Sequence, residues 1–95
     1  MMTGMRGLLQ IVVASHCFGC EEASRLSQEV VKTFPQIRVE FIDIEQQGAR
    51  VPAGIFAVPS YLLNGVLLFT GNPGEAELVA ALSAALAQNE DSDVA

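Results

Sequence analysis

Two cysteines separated by two residues, Cys17-Phe18-Gly19-Cys20, are where this chain can do chemistry. They are its only cysteines, so a disulfide framework is excluded and a redox pair or a thin metal site remains. The pair follows an apolar run, Leu8-Leu9-Gln10-Ile11-Val12-Val13-Ala14, that reads as a buried strand. It precedes Glu21 to Phe34, which reads as an amphipathic helix. Two thiols at such a junction can close a small disulfide ring or reopen it. The helix start favours the thiolate, which is the reactive form.

Cys17 is the candidate nucleophile. It lies ahead of the helix, where free backbone N–H groups and the positive end of the dipole stabilise negative charge. Glu21 and Glu22 oppose this, so only moderate acidification is expected. Cys20, one turn inward, is the candidate resolving thiol. His16 can shuttle a proton between the two, its ordinary pKa being near neutrality, or can simply flank the site. Together His16, Cys17 and Cys20 offer three metal ligands where zinc usually takes four. No metal is expected within one copy of the chain, although a Cys₄ site shared between subunits fits the spacing.

These residues must be positioned by a small scaffold. Residues 7–14 form a first strand, and a helix runs from about Gly19 to Phe34. Its Ala23, Leu26, Val30 and Phe34 fall on one face, and Pro35 blocks continuation. Ile37 to Ile44 forms a second strand. Glu45 to Ala57 holds Gly48, Pro52 and Gly54 and is expected to contain one short helix and a loop. Ser60–Leu63 and Val66–Phe69 are joined by Asn64-Gly65, a strong two-residue hairpin signal. The last helix is expected to open with Asn72 as cap, Pro73 at its first position and Glu75 reaching back to the cap. Leu78, Leu82 and Leu86 stripe its inner face. Gln88 to Ala95 is polar and acidic and is expected to fray. The first two strands, joined through a helix, should be parallel. The expected fold is α/β: a four-stranded mixed sheet in the order β-α-β-α-β-β-α, with helices on both faces.

Ninety-five residues make one domain, 1–95, with a core at 7–87. Apolar residues are 51% and charged residues 17%, a globular composition. A net charge of −6 and scattered cations (Arg6, Arg25, Lys32, Arg38, Arg50) argue against a nucleic-acid partner. No apolar run is long enough for a bilayer. Arg6 followed by Gly7 to Ala14 imitates a secretory signal, yet cleavage near Ser15 would remove a core strand. The segment is read as structure and the expected location is cytoplasmic. A lone CxxC in a reducing compartment is more often catalytic than structural.

Over residues 7–87 the chain resembles the thioredoxin-like superfamily. The resemblance is carried by CxxC at the start of the first helix, by Val58-Pro59 just before the hairpin, and by Gly71 after the last strand. It implies a thiol–disulfide oxidoreductase that reduces disulfide-containing proteins through a Cys17–Cys20 couple and needs no other cofactor; a monomer is expected. It also implies that Pro59 is cis, where composition alone equally allows a trans strand-start proline. The Val58 backbone, Pro59, Thr70, Gly71 and Phe18 would then face substrate, with an extended segment adding to Val58 as a strand. His16 replaces the usual Trp ahead of the first cysteine, Phe18-Gly19 replaces the usual motif interior, and Ile11-Val12-Val13 lacks the buried acid of thioredoxins. The electron donor is expected to be a reductase flavoprotein or glutathione. The former is favoured, because no cation cluster awaits glutathione's carboxylates. The rival reading is a non-catalytic module on the same fold, binding a partner protein or a metal through the CxxC region.

Overall fold

Strand β1 (Gly7–Val13) runs through the middle of the sheet and decides where everything else goes. The computed structural model describes residues 7–14, 19–46, 48, 50–55 and 57–94, with Cys20 and residues 88–94 described by backbone alone. After β1 come α1 (Cys20–Thr33), β2 (Ile37–Asp43), β3 (Ser60–Leu63), β4 (Val66–Thr70) and α2 (Glu75–Val94). The four strands lie in the order β2-β1-β3-β4. β1 pairs parallel with β2, from Gly7 opposite Ile37 to Val13 opposite Asp43. It pairs antiparallel with β3, from Leu9 opposite Leu63 to Val12 opposite Ser60. A mixed sheet with a helical crossover between its parallel strands is the expected one.

The hairpin forms where Asn64-Gly65 predicts it. Both residues have positive φ, 52° and 85°, which a side chain tolerates poorly and Asn and Gly tolerate best. Asn64 also ties the turn to β1. Its Oδ1 accepts the Leu8 N–H at 2.9 Å, and its own N–H donates to the Leu8 carbonyl at 2.9 Å. The β3–β4 register shifts between Tyr61, opposite Phe69, and Leu62, opposite Leu67. The irregularity lets the consecutive residues Leu68 and Phe69 both pack against one core.

That core lies on one face of the sheet. Leu9 and Ile11 of β1, Ile37 of β2, and Tyr61 and Leu63 of β3 meet Ala23, Leu26 and Val30 of α1 and Leu78, Leu82 and Leu86 of α2. The two helical stripes expected from spacing are the ones buried. A smaller cluster on the other face holds Val12, Ile42 and Leu62, packed against Ile55 and Val58.

Two expectations are corrected. The short helix between β2 and β3 is absent among the described residues of that connection, which are turns, bends and unclassified backbone. Gly48 and Gly54 sit at φ of 80° and 87°, outside helical backbone, and Pro52 interrupts what lies between. Consequently α1 and α2 share one face, and the connection carrying Ile55 and Val58 covers part of the opposite face. The backbone of α2 is helical as far as Val94. α2 also starts two residues later than expected. Gly74 donates its N–H to Glu77 Oε1 at 2.9 Å and accepts the Leu78 N–H at 3.0 Å, a capping arrangement displaced from Asn72 and Glu75 to Gly74 and Glu77.

Leu82 is fully buried between α2 and the sheet. Leu82→Ala is expected to cost about 2–5 kcal/mol by urea unfolding. Arg25→Ala, which removes half-exposed ion pairs to Glu22 and Glu75, is expected to cost under about 1 kcal/mol. A Leu82→Ala loss as small as that of Arg25→Ala would show that α2 does not close the core.

Candidate functional site

Strand register alone brings the chemistry-bearing segments to one end of the sheet. Val13 lies opposite Asp43, Val12 opposite Ser60, and Ser60 opposite Thr70. The chain therefore leaves β1 toward the cysteine motif, enters β3 from Pro59, and leaves β4 into Gly71 at the same edge. This is the end beyond the carboxyl termini of the parallel strands, where α/β sheets place their ligand crevices.

Cys20 is the first residue of α1, with Gly19 as its N-cap. Gly19 has φ −88° and ψ 0° and supplies no side-chain cap, so it leaves first-turn N–H groups uncapped from within the helix. Its carbonyl accepts the Ala23 N–H at 3.0 Å. Cys17, His16 and Phe18, together with Phe56, lie outside the described residues. The two ends of the segment carrying Cys17, Ala14 and Gly19, both stand at this edge of the sheet.

The Val58–Pro59 peptide is cis. Pro59 is buried and Val58 half-buried. Val58 faces the small cluster of Val12, Ile42 and Leu62. The Ser60 hydroxyl donates to the Ala57 carbonyl at 2.6 Å, closing the turn that carries Val58 and Pro59. Gly71, at φ 84°, donates its N–H to the Pro59 carbonyl at 2.7 Å. Thr70 is exposed at the end of β4. Val58, Pro59, Thr70 and Gly71 are thus brought together as neighbours. Beside Val58 lies an apolar cleft lined by Ile44, Val51, Ile55 and Ala57, of which Ile44 and Val51 are more than 40% exposed.

Pro59 also packs against the helix start. A Cβ placed on Gly19 would come 3.3 Å from Pro59 Cδ and 2.7 Å from Asn72 Nδ2. Asn72 donates from that nitrogen to the Gly19 carbonyl at 2.8 Å, and its Oδ1 accepts the Tyr61 hydroxyl at 2.6 Å. Sequence reasoning missed this role, assigning Asn72 to the cap of α2. Tyr61 is fully buried and meets Phe69 edge-on at 6.4 Å. No local pattern in the sequence joins Gly19, Tyr61 and Asn72, which only the fold brings together.

The charges near the helix start are less one-sided than its two acids suggest. Arg25 grips Glu22 with both arms of its guanidinium, Nε to Oε1 at 2.9 Å and Nη2 to Oε2 at 2.6 Å. It also reaches Glu75 at 3.3 Å, linking α1 to α2. The hydrogen bonds from Arg25 hold the Glu22 carboxyl below its usual range, and those same bonds hold the guanidinium firmly charged. Burial pushes the Tyr61 phenol up to about 12, with the Glu22 charge adding to the shift. Tyr61 is therefore a neutral donor throughout the physiological range.

Two outcomes follow from this packing. Tyr61 is the only tyrosine, so phenolate absorbance reports it alone; its midpoint is expected near 12, and a midpoint near 10 would contradict the buried hydroxyl. The folded value lies above the ordinary 10.0. Its contribution is therefore complete below about pH 10 and lost as pH climbs toward 12, and Tyr61→Phe should remove that part of the alkaline destabilisation. Gly19→Ala should break the Asn72 hydrogen bond and press on Pro59, costing about 1–3 kcal/mol by urea unfolding. An unchanged midpoint would mean that the approach is not tight.

The family profile described as "Thioredoxin domain" matches residues 9–83. The chain is 35% identical over 77 residues to a probable thioredoxin of Methanothermobacter marburgensis, covering 79% of this chain and 91% of that protein. It is 32% identical over 76 residues to a thioredoxin of Methanocaldococcus jannaschii, covering 78% and 89%. Among solved structures, Fasciola hepatica thioredoxin superposes with a TM-score of 0.67 at 19% identity, over 85% of this chain and 81% of that one. Oxidised thioredoxin O2 of Arabidopsis thaliana gives 0.63 at 19% identity, over 81% and 72%. The two structural matches show the fold, and the profile and the two archaeal relatives show the family. This chain belongs to the thioredoxin family of thiol–disulfide oxidoreductases.

Proposed function

We propose that the chain reduces disulfides of protein substrates through a Cys17–Cys20 dithiol/disulfide couple. The observation that carries this reading is the convergence of three segments at one sheet edge. These are the mouth of α1, to which Gly19 lends no side-chain cap, the cis Val58–Pro59 segment, and the turn at Gly71. A thiolate at the helix mouth is stabilised by backbone N–H groups, and the neighbouring segments offer a surface for an extended substrate chain.

In the reductive cycle the Cys17 thiolate attacks one sulfur of the substrate disulfide. A mixed disulfide forms and the first substrate thiolate leaves. Cys20 loses its proton and attacks the Cys17 sulfur, which closes the Cys17–Cys20 bond and releases the second substrate thiolate. The substrate has gained two electrons and takes up two protons from the medium. A donor must return two electrons to the protein disulfide. A reductase flavoprotein suits this chain better than glutathione, since the described site presents no cation cluster for glutathione's carboxylates. Substrate contacts fall to Val58, Pro59, Thr70, Gly71 and Phe18, with the apolar cleft of Ile44, Val51, Ile55 and Ala57 at one side. His16 flanks the pair. Among the described residues no helix is long and apolar enough to cross a membrane. The reducing chemistry proposed suits the cytoplasm.

Insulin reduction, followed by turbidity with dithiothreitol and then with each physiological donor, tests the activity and ranks the donors. Cys17→Ser is expected to abolish turnover. Cys20→Ser is expected to accumulate a mixed disulfide with substrate, visible by mass spectrometry and cleared by added thiol. A mixed disulfide trapped by Cys17→Ser, or none trapped by Cys20→Ser, would contradict the assigned roles. An unmodified protein inactive with every donor would instead leave a binding module on the thioredoxin fold.

A further inference from the structure

The Gly19 carbonyl is held from outside its own helix. It accepts the first α-helical hydrogen bond from Ala23 and a second from Asn72 Nδ2 at 2.8 Å. A carbonyl only accepts, so it dictates which end of the Asn72 amide faces it. The remaining oxygen, Oδ1, is then turned toward Tyr61, whose hydroxyl donates to it at 2.6 Å. Tyr61 cannot swing away, because its ring is fully buried and packed edge-on against Phe69. Three elements far apart in sequence are joined in one directional chain: the β3 hydroxyl, the amide after β4, and the peptide that opens α1. Gly19 has no room for a side chain here, being hemmed in by Asn72 and Pro59.

We propose that Asn72, oriented by Tyr61, is a positioning residue that sets the reduction potential of the Cys17–Cys20 couple through the Gly19–Cys20 peptide. The proposal rests on the reading of that couple given above. The carbonyl that Asn72 grips and the N–H of Cys20 belong to the same peptide unit. A donor on the oxygen polarises the unit and makes its N–H a stronger donor. That N–H opens at the mouth of α1, where first-turn amides have no intrahelical acceptor and Gly19 supplies no cap of its own. In the proposed couple a thiolate would gain from a stronger donor at the helix mouth, while a disulfide carries no charge and gains little. The clamp therefore favours the reduced form, and a stabilised reduced form means a more oxidising couple. The same grip fixes a peptide inside the ring that the disulfide closes, so it also limits how the motif rearranges between the two states.

The test is equilibration of the full chain with reduced and oxidised glutathione mixtures. Each thiol-to-disulfide exchange converts one oxidised glutathione to two reduced ones. Variants are Asn72→Ala, Asn72→Asp and Tyr61→Phe, each also followed by urea unfolding and by thiolate absorbance against pH. Asn72→Ala is expected to shift the equilibrium toward disulfide by about three- to tenfold, roughly 15–30 mV more negative, and to raise the lower thiol pKa. Asn72→Asp should shift both further, because a carboxylate facing the Gly19 carbonyl loses the bond and adds negative charge. Tyr61→Phe should move both in the same direction by less, since it frees the amide without removing it. If all three variants equilibrate within about 1.5-fold of the parent while unfolding more easily, Asn72 is a brace only and the proposal is overturned. If the parent itself forms no Cys17–Cys20 disulfide in any glutathione mixture, the redox reading falls and the clamp's role falls with it. A parent that equilibrates beside variants that do not differ from it brings down the clamp alone.

Discussion

Strand β1 is hydrogen-bonded on both edges, covered on one face and partly covered on the other, and the rest of the molecule is arranged around that fact. Leu9 and Ile11 face the helices and Val12 faces the smaller cluster, so its near-continuous apolar run has a use on either side. Its parallel neighbour β2 requires a crossover, which is α1. Its antiparallel neighbour β3 requires an approach from the opposite direction, which the long connection from β2 supplies. Once those two pairings are made, the exits from β1 and β4 and the entry to β3 must fall at one end. The site is a consequence of register before it is a consequence of any side chain.

The helix start is built from backbone more than from side chains. A residue larger than Gly at position 19 meets Asn72 and Pro59. A residue unable to donate at position 72 leaves the Gly19 carbonyl with one bond instead of two. The acids of the first turn also act differently from their bare charges. Glu22 is engaged by Arg25, whose guanidinium bridges to Glu75 on α2, so part of the negative field expected at the cysteine motif is compensated locally. These bonds lie at the surface and do little for stability. Their effect is on the potential at the site.

Much of this was legible. The apolar run of β1, the i, i+3, i+7 stripe of α1 and the Asn64-Gly65 turn each follow from local rules, and the structure follows them. The stripe Leu78, Leu82, Leu86 is buried as spacing requires, even though α2 begins at Glu75 and not at Pro73. The failures share a cause. Asn72 has the composition of a helix cap, but an amide can satisfy only the partners within its reach, and the fold brings Gly19 and Tyr61 closer. The connection from Glu45 to Ala57 was expected to hold one short helix and a loop, but Gly48 and Gly54 take positive φ and Ile55 and Val58 cover part of a face as loop.

What the sequence determined by itself was element type, order and the pair of thiols, because hydrophobic period, turn chemistry and cysteine spacing are local properties of a chain. What only the tertiary structure decided was which residues meet. That Gly19 lies against Pro59, that Asn72 binds a carbonyl 53 residues away, and that both helices share one face depend on pairing register and close packing between distant segments. Those are set by the sum of contacts over the whole molecule, and no window of sequence contains them.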